Sequence, residues 1–224
     1  MKKIYEKVKS RGIQICHAAE VGVYLPETSN VIDFIEKGVR TTLVEADPDV
    51  NKKILEVFKG KNIKLYPFAV WDYDGTLTLS RAEASTFATD LLSSPAIKND
   101  NYVVREEETF EVPCITFSKA DDGTIDLLSI DIEGSEWFVL KHMVSRPKVL
   151  SIETHGKYYT NPFIKEIRAW IEANDYAIWF KDGSDTVFVR KGVLKPSLGD
   201  KLEAALIDLS LAWKKLKGLV KGRL

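Results

Sequence analysis

Apolar residues along this chain fall into short continuous runs separated by stretches with a helical repeat. In IDLLSIDIEGSE (125–136), Leu127, Leu128, Ile130 and Ile132 are too continuous for a strand with one wet face and too few for a helix. They predict a central parallel strand covered on both faces. The run ends by presenting Asp131 and Glu133, with Gly134 between them and a helix. Strand carboxyl ends in an open α/β sheet open into the crevice where ligands sit, so both acids are candidate site residues. A helix-capping Asp131 and a solvated first-turn Glu133 would fit the same pattern.

The rest of the chain repeats strand, turn and helix. Residues 13–23 (IQICHAAEVGV) read as a strand ending at Glu20 and Gly22, with Thr28, Ser29 and Asn30 supplying caps for a helix through Lys37. Residues 41–45 (TTLVE) read as a second buried strand, Asp47 and Pro48 start a helix through Lys59, and residues 62–70 form a third strand. Residues 150–154 and 162–174 give a further strand and helix, with Phe163, Ile167, Trp170 and Ile171 on one helix face. Such alternation predicts a doubly wound α/β sheet with right-handed crossovers. Residues 176–180 and 186–190 are separated only by KDGSD, too short for a parallel crossover, so the sheet ends in an antiparallel hairpin.

Two stretches stand apart. Within residues 71–124, WDYDGTLTLS suggests a hairpin or strand extension and AEASTFATDLLSSPAIKNDN a loop, together a lid or substrate loop. After Pro196, Leu202, Leu206, Leu209, Trp213, Leu216 and Val220 recur at intervals of four and three, which predicts an amphipathic helix from Leu198 onward. The expected division is a domain over 1–196 and this helix over 197–224. Its apolar seam needs a cover: the domain's own surface, a second chain in a homodimer, or a membrane interface. Lys214, Lys215, Lys217, Lys221 and Arg223, without an acid among them, suit anionic lipid.

Composition narrows the class. At 224 residues the chain can build one domain with a full core. Its 32 basic and 33 acidic side chains nearly cancel, leaving no global field to attract nucleic acid. Cys16 and Cys114 lie in apolar strand-like runs and read as buried thiols of a cytoplasmic protein. No apolar region follows the charged first residues, and no stretch approaches the length of a membrane span.

In a wound sheet the ligand meets the turn after the first strand, the acid closing the second, and the end of the fourth. Glu20 with Gly22, Glu45, and Asp131 hold those places. Glu45 follows Gly22 by 23 residues, near the spacing of about 20 at which an acid receives ribose hydroxyls. An acid at a strand end is also a common helix cap, although Asp47 can cap here. A pyrophosphate needs several close backbone N–H groups, hence G-x-G-x-x-G, whereas GVYLPE (22–27) has one glycine. Tyr24 and Pro26 would obstruct a diphosphate and Glu27 would repel it. S-adenosylmethionine has no phosphate, and its sulfonium and amino-acid end are favoured by carboxylates. A nicotinamide-dependent oxidoreductase shares Glu45 but lacks the phosphate loop; a binding scaffold without catalysis is the non-enzymatic alternative.

VEADPD (44–49), LLSIDIEGSEWFVLK (127–141) and SIETHGK (151–157) resemble the FkbM-type S-adenosylmethionine-dependent methyltransferases over residues 13–191. The resemblance implies a class I, Rossmann-like methyltransferase fold and O-methyl transfer to sugars, glycans or other secondary metabolites. That family usually opens with Asp-hydrophobic-Gly-Ala-x-x-Gly; here Glu20 replaces the Asp and Pro26 the last glycine. The candidate donor-binding set is Glu20, Gly22, Tyr24, Glu45, Ala46, Ala69 and Asp131. Among three histidines, His155 ends the strand beside Asp131 and is the candidate base for the acceptor hydroxyl, with Asp131 and Glu133 as further catalytic candidates. His17 and His142 read as structural. Asp131, Glu153 and His155 could instead gather a divalent cation that orients a diol, but they form no spacing signature and a metal is not favoured.

Overall fold

The computed structural model describes residues 1–82, 85–91, 93–100 and 102–220. Helix α1 (Lys3–Ser10) precedes β1 (His17–Val21), α2 (Ile32–Glu36), β2 (Arg40–Val44), α3 (Pro48–Val57) and β3 (Ile63–Tyr66). A second group follows: β4 (Ala69–Val70), β5 (Gly75–Ala82), β6 (Ser85–Ala88), α4 (Pro95–Asp100) and β7 (Thr109–Ile115). The chain then runs through β8 (Leu127–Ile130), α5 (Glu136–Lys141), β9 (Val149–Glu153), α6 (Ile164–Ala173), β10 (Tyr176–Asp182), β11 (Asp185–Arg190) and α7 (Leu198–Val220).

The main sheet has seven strands in the order β3-β2-β1-β8-β9-β11-β10. β11 lies antiparallel between β9 and β10, and the other pairs are parallel. This is the doubly wound, Rossmann-like sheet with a terminal antiparallel hairpin that the sequence predicts, and its order reverses between β1 and β8, where the crevice opens. Side-chain alternation explains why β8 is buried at every position, with leucines and an isoleucine at all but Ser129. Leu127 packs with Phe34, Ile54 and Trp179 on one face, and Leu128 with Val139, Leu140 and Ile167 on the other. Asp47 caps α3 by accepting from Asp49 N at 2.8 Å, and Ile167 and Ile171 of α6 are buried as the periodicity predicts.

Several expectations need correction. The stretch 62–70 breaks in two, because β4 leaves the main sheet to pair with β7. Residues 71–124 are not a lid loop: β4, β7, β5 and β6 form a second sheet of four strands. β6 falls within the stretch expected to be loop, of which Glu83, Ala84, Leu92 and Asn101 lie outside the described residues. Helix α2 starts only at Ile32; Ser29 Oγ and Asn30 N both donate to Glu20, and Ser29 Oγ also accepts from Val31 N at 3.2 Å just before the helix. Cys114 is buried but Cys16 is exposed, preceding β1. Helix α7 forms as predicted, yet Leu202, Leu206, Leu209 and Trp213 point outward, so the domain does not cover that seam. Lys221 and Arg223 lie outside the described residues, as do the side chains of Lys215, Leu216 and Val220.

Candidate active site

β1 and β8 run parallel with Val21 opposite Ile130, and the chain leaves β1 through Gly22 at φ +83°. A Cβ on Gly22 would stand 1.8 Å from the Asp131 carbonyl oxygen, so only hydrogen fits. The close approach lets Asp131 N donate to Val21 O and Gly22 N to Val44 O, both at 2.9 Å. The ends of β1, β2 and β8 are thereby drawn together.

Two buried acids then fix the loop after β1. Glu20, 3% exposed, accepts from Asn30 N at 2.8 Å and from Ser29 Oγ; burial pushes its carboxyl up to about 7. Glu45 accepts through Oε2 from Val23 N at 2.9 Å and Tyr24 N at 3.2 Å, and through Oε1 from Asp47 N at 2.8 Å. Burial raises its pKa as well. Tyr24 holds φ +51° in that loop, a conformation uncommon outside glycine and one tolerated where surrounding bonds over-determine it.

Between this loop and the second sheet lies a cavity of about 240 Å³. The structure brings Glu20, Gly22, Tyr24, Glu45, Ala46, Ala69, Asp131 and Glu133 together on its walls. Leu77, Leu79 and Phe87 of β5 and β6 supply an apolar wall opposite. The stretch expected to be a lid is thus a folded side of the site. His155 is not among the described residues lining this cavity. It is 6% exposed, its Nδ1 lies 2.9 Å from Thr154 Oγ1, and it lines a separate cleft with Lys157, Gly183 and Lys214.

Beneath the cavity floor, one carboxylate oxygen from each of Asp131, Glu136 and Glu153 lies within 4.8 Å of the others. Glu136, rather than His155, completes the group that could hold a hard cation. Glu136 also folds the turn around itself: Oε1 accepts from Ile132 N at 3.0 Å and Gly134 N at 3.1 Å, and Oε2 from Asn161 Nδ2. Glu133, at φ +57°, lies inside that turn. Burial pushes Asp131 up to about 6 and Glu136 to about 7. Glu153 reaches about 12, from burial first and then from the charges of Asp131 and Glu136. Asp185 is also raised by burial, and accepts from Ser151 Oγ at 2.9 Å and Asn30 Nδ2 at 3.3 Å.

Sequence reasoning missed Glu136, Asn30 and Asp185. Glu136 was signalled by the D-I-E-G-S-E spacing, which places it after the turn it closes. Asn30 was visible only as a helix cap, and Asp185 only as a hairpin residue.

The chain matches the Methyltransferase FkbM domain family over residues 19–178. It belongs to the FkbM methyltransferase domain family. The matched stretch of this FkbM domain runs from β1 into β10 and contains all eight candidate residues on the cavity walls. Comparison with curated proteins gives no match. Solved structures similar to this FkbM domain include the methyltransferase domain of bacterial CtHen1, at 13% identity over 83% of this chain and 94% of that one, TM-score 0.44. Another is Aeropyrum pernix fibrillarin with natively bound S-adenosyl-L-methionine, at 13% identity over 83% and 73% of the two chains, TM-score 0.43.

Proposed function

We propose that this FkbM methyltransferase transfers the methyl group of S-adenosylmethionine to a hydroxyl of a sugar, glycan or secondary metabolite. The observation that carries the donor assignment is the charge of the cavity. Glu20, Glu45, Asp131 and Glu133 line it, and no lysine or arginine does among the described residues. Such a wall repels phosphate and suits a cation bearing an ammonium group and a ribose diol. Bound there, S-adenosylmethionine would supply an electrophilic methyl group on a cationic sulfur.

The protein's own contribution is to orient, to exclude water and to move a proton. Glu45 faces the cavity from the end of β2, where a ribose-binding acid belongs. Leu77, Leu79 and Phe87 shield one side from water, which strengthens electrostatic interactions inside. Asp131 stands on the floor with its carboxyl pushed up by burial to about 6, which suits it to taking an acceptor's hydroxyl proton at neutral pH and releasing it to solvent after turnover. We place the base on Asp131 because His155 lies in the separate cleft. His155→Ala is accordingly expected to leave most of the turnover intact.

Glu45→Gln keeps the shape but loses the charge. A charged hydrogen bond is worth about 1.5–3 kcal/mol, so donor affinity is expected to fall at least about tenfold. Calorimetry on the variant checks this, and unchanged affinity would remove Glu45 from ribose binding. The function itself is tested with methyl-labelled donor and a panel of sugars, glycans and hydroxylated metabolites. Label in an alkali-stable methyl ether supports the proposal; label on nitrogen or on a carboxyl group contradicts it.

A further inference from the structure

The outward face of α7 carries Leu198, Leu202, Leu206, Leu209 and Trp213, each between 59% and 80% exposed. They form a continuous apolar ridge, since intervals of three and four keep residues on one side of a helix. The opposite face docks on the domain, burying Asp200 and Ala204.

Docking also sorts the charges of the helix. Its acids, Asp200, Glu203 and Asp208, all pair with basic side chains of the domain. Asp200 pairs with Lys7 at 2.8 Å and Arg11 at 3.3 Å, Glu203 with Lys3 at 2.9 Å, and Asp208 with Lys181 of β10. Lys201, Lys214 and Lys217 remain exposed and form no ion pair among the described residues. At about 100° per residue, Lys201 and Lys217 fall on opposite flanks of the ridge. Lys217 Nζ lies 5.1 Å from the Trp213 ring centroid, which keeps cation and aromatic side by side at the ridge's end. The uncompensated charge of α7 is therefore positive along both edges of an apolar stripe, although the whole chain has a net charge of only −1.

From this arrangement we infer that α7 docks the protein on an anionic lipid bilayer, lying in the interface with its leucine and tryptophan ridge toward the acyl chains. Leucine and tryptophan toward the lipid with lysines at the rim match such a helix. No helix among the described residues is long and apolar enough to cross a membrane, so the contact would be parallel to the surface. A second copy of the helix is a poorer occupant: it would set lysine flanks against lysine flanks, over a ridge shorter than the three or four heptads a coiled coil needs.

Co-sedimentation of the full-length protein with vesicles tests the inference. Binding is expected to vesicles of phosphatidylcholine mixed with phosphatidylglycerol, with weak binding to phosphatidylcholine alone and a decline as salt rises. Each lysine near an anionic surface is worth about fivefold in partitioning, so Lys201→Ala with Lys217→Ala should weaken binding about 25-fold. Leu206→Ser with Trp213→Ser should abolish it. These side chains are exposed, and an unchanged circular dichroism spectrum with unchanged S-adenosylhomocysteine affinity would show that the variants remain folded. Absence of binding to anionic vesicles, or equal binding to both compositions, overturns the inference. So does a dimer in analytical ultracentrifugation that Leu206→Ser dissolves, which would assign the ridge to a second copy.

Discussion

Gly22→Ala is expected to lower the thermal midpoint by about 10 °C and to remove measurable donor binding. Two costs combine at this position. A non-glycine residue at φ +83° carries about 1–2 kcal/mol of strain. Its Cβ would also lie 1.8 Å from the Asp131 carbonyl oxygen, which is backbone and cannot swing aside, so β1 and β8 must part at a further cost of about 1–3 kcal/mol. At about 2–4 °C per kcal/mol for a chain of this size, the sum gives the expected shift. Donor binding suffers more, because parting the strand ends moves Glu20, Glu45 and Asp131 relative to one another. Gly183→Ala is the control: φ is +56° but nothing lies within 4 Å of its added Cβ, so it should show the strain alone and wild-type donor affinity. Equal effects from the two substitutions, measured by calorimetry and thermal melts, would show that the approach of Gly22 to Asp131 is not what shapes the site.

Asp131→Asn is expected to reduce kcat by about 10²–10⁴-fold, the usual contribution of a general base, with donor affinity changed much less. The variant keeps the side chain's size and one acceptor oxygen, so the cavity retains its shape. The pH dependence separates this from a merely structural effect. A base works only when deprotonated, so kcat/KM should rise with pH through about 6, the value to which burial pushes this carboxyl. The rising limb of kcat should lie lower, because a cationic donor beside the carboxylate favours its charged form. In Asp131→Asn that limb should vanish. Survival of the limb in Asp131→Asn, together with its loss in His155→Ala, would move the base to the second cleft.

The frame of the molecule was legible because its strands are buried on both faces. Leu127, Leu128 and Ile130 have to be apolar whichever side they point to, and that continuity announces a central parallel strand. KDGSD likewise forced an antiparallel closing hairpin through chain length alone. The second sheet was hidden for the opposite reason. Its edge strand β6 is four residues long, and β7 alternates exposed with buried positions around Pro113, so its stability comes from tertiary pairing rather than local pattern.

Within the site, Glu20, Glu45 and Asp131 could be found because strand ends are where a wound sheet binds. What sequence could not show is that Glu20 and Glu45 also hold the loop by its amides, or that Glu136 reaches back to close the turn beneath Asp131. Those are contacts between side chain and backbone across several residues; the D-I-E-G-S-E spacing marks Glu136 but not the amides it accepts from. The seam of α7 was equally visible. Its outward direction was not, because the pairing of Asp200, Glu203 and Asp208 depends on where α1 and β10 lie.

On this reading S-adenosylmethionine binds in the carboxylate-lined cavity between the β1 loop and the second sheet. Titration of the folded protein with S-adenosylhomocysteine by isothermal calorimetry reads that binding without knowledge of the acceptor. One site per chain, saturable, weakened by Glu45→Gln and lost in Gly22→Ala, is the predicted result. A folded wild-type protein that shows no heat of binding for S-adenosylhomocysteine or S-adenosylmethionine would contradict it.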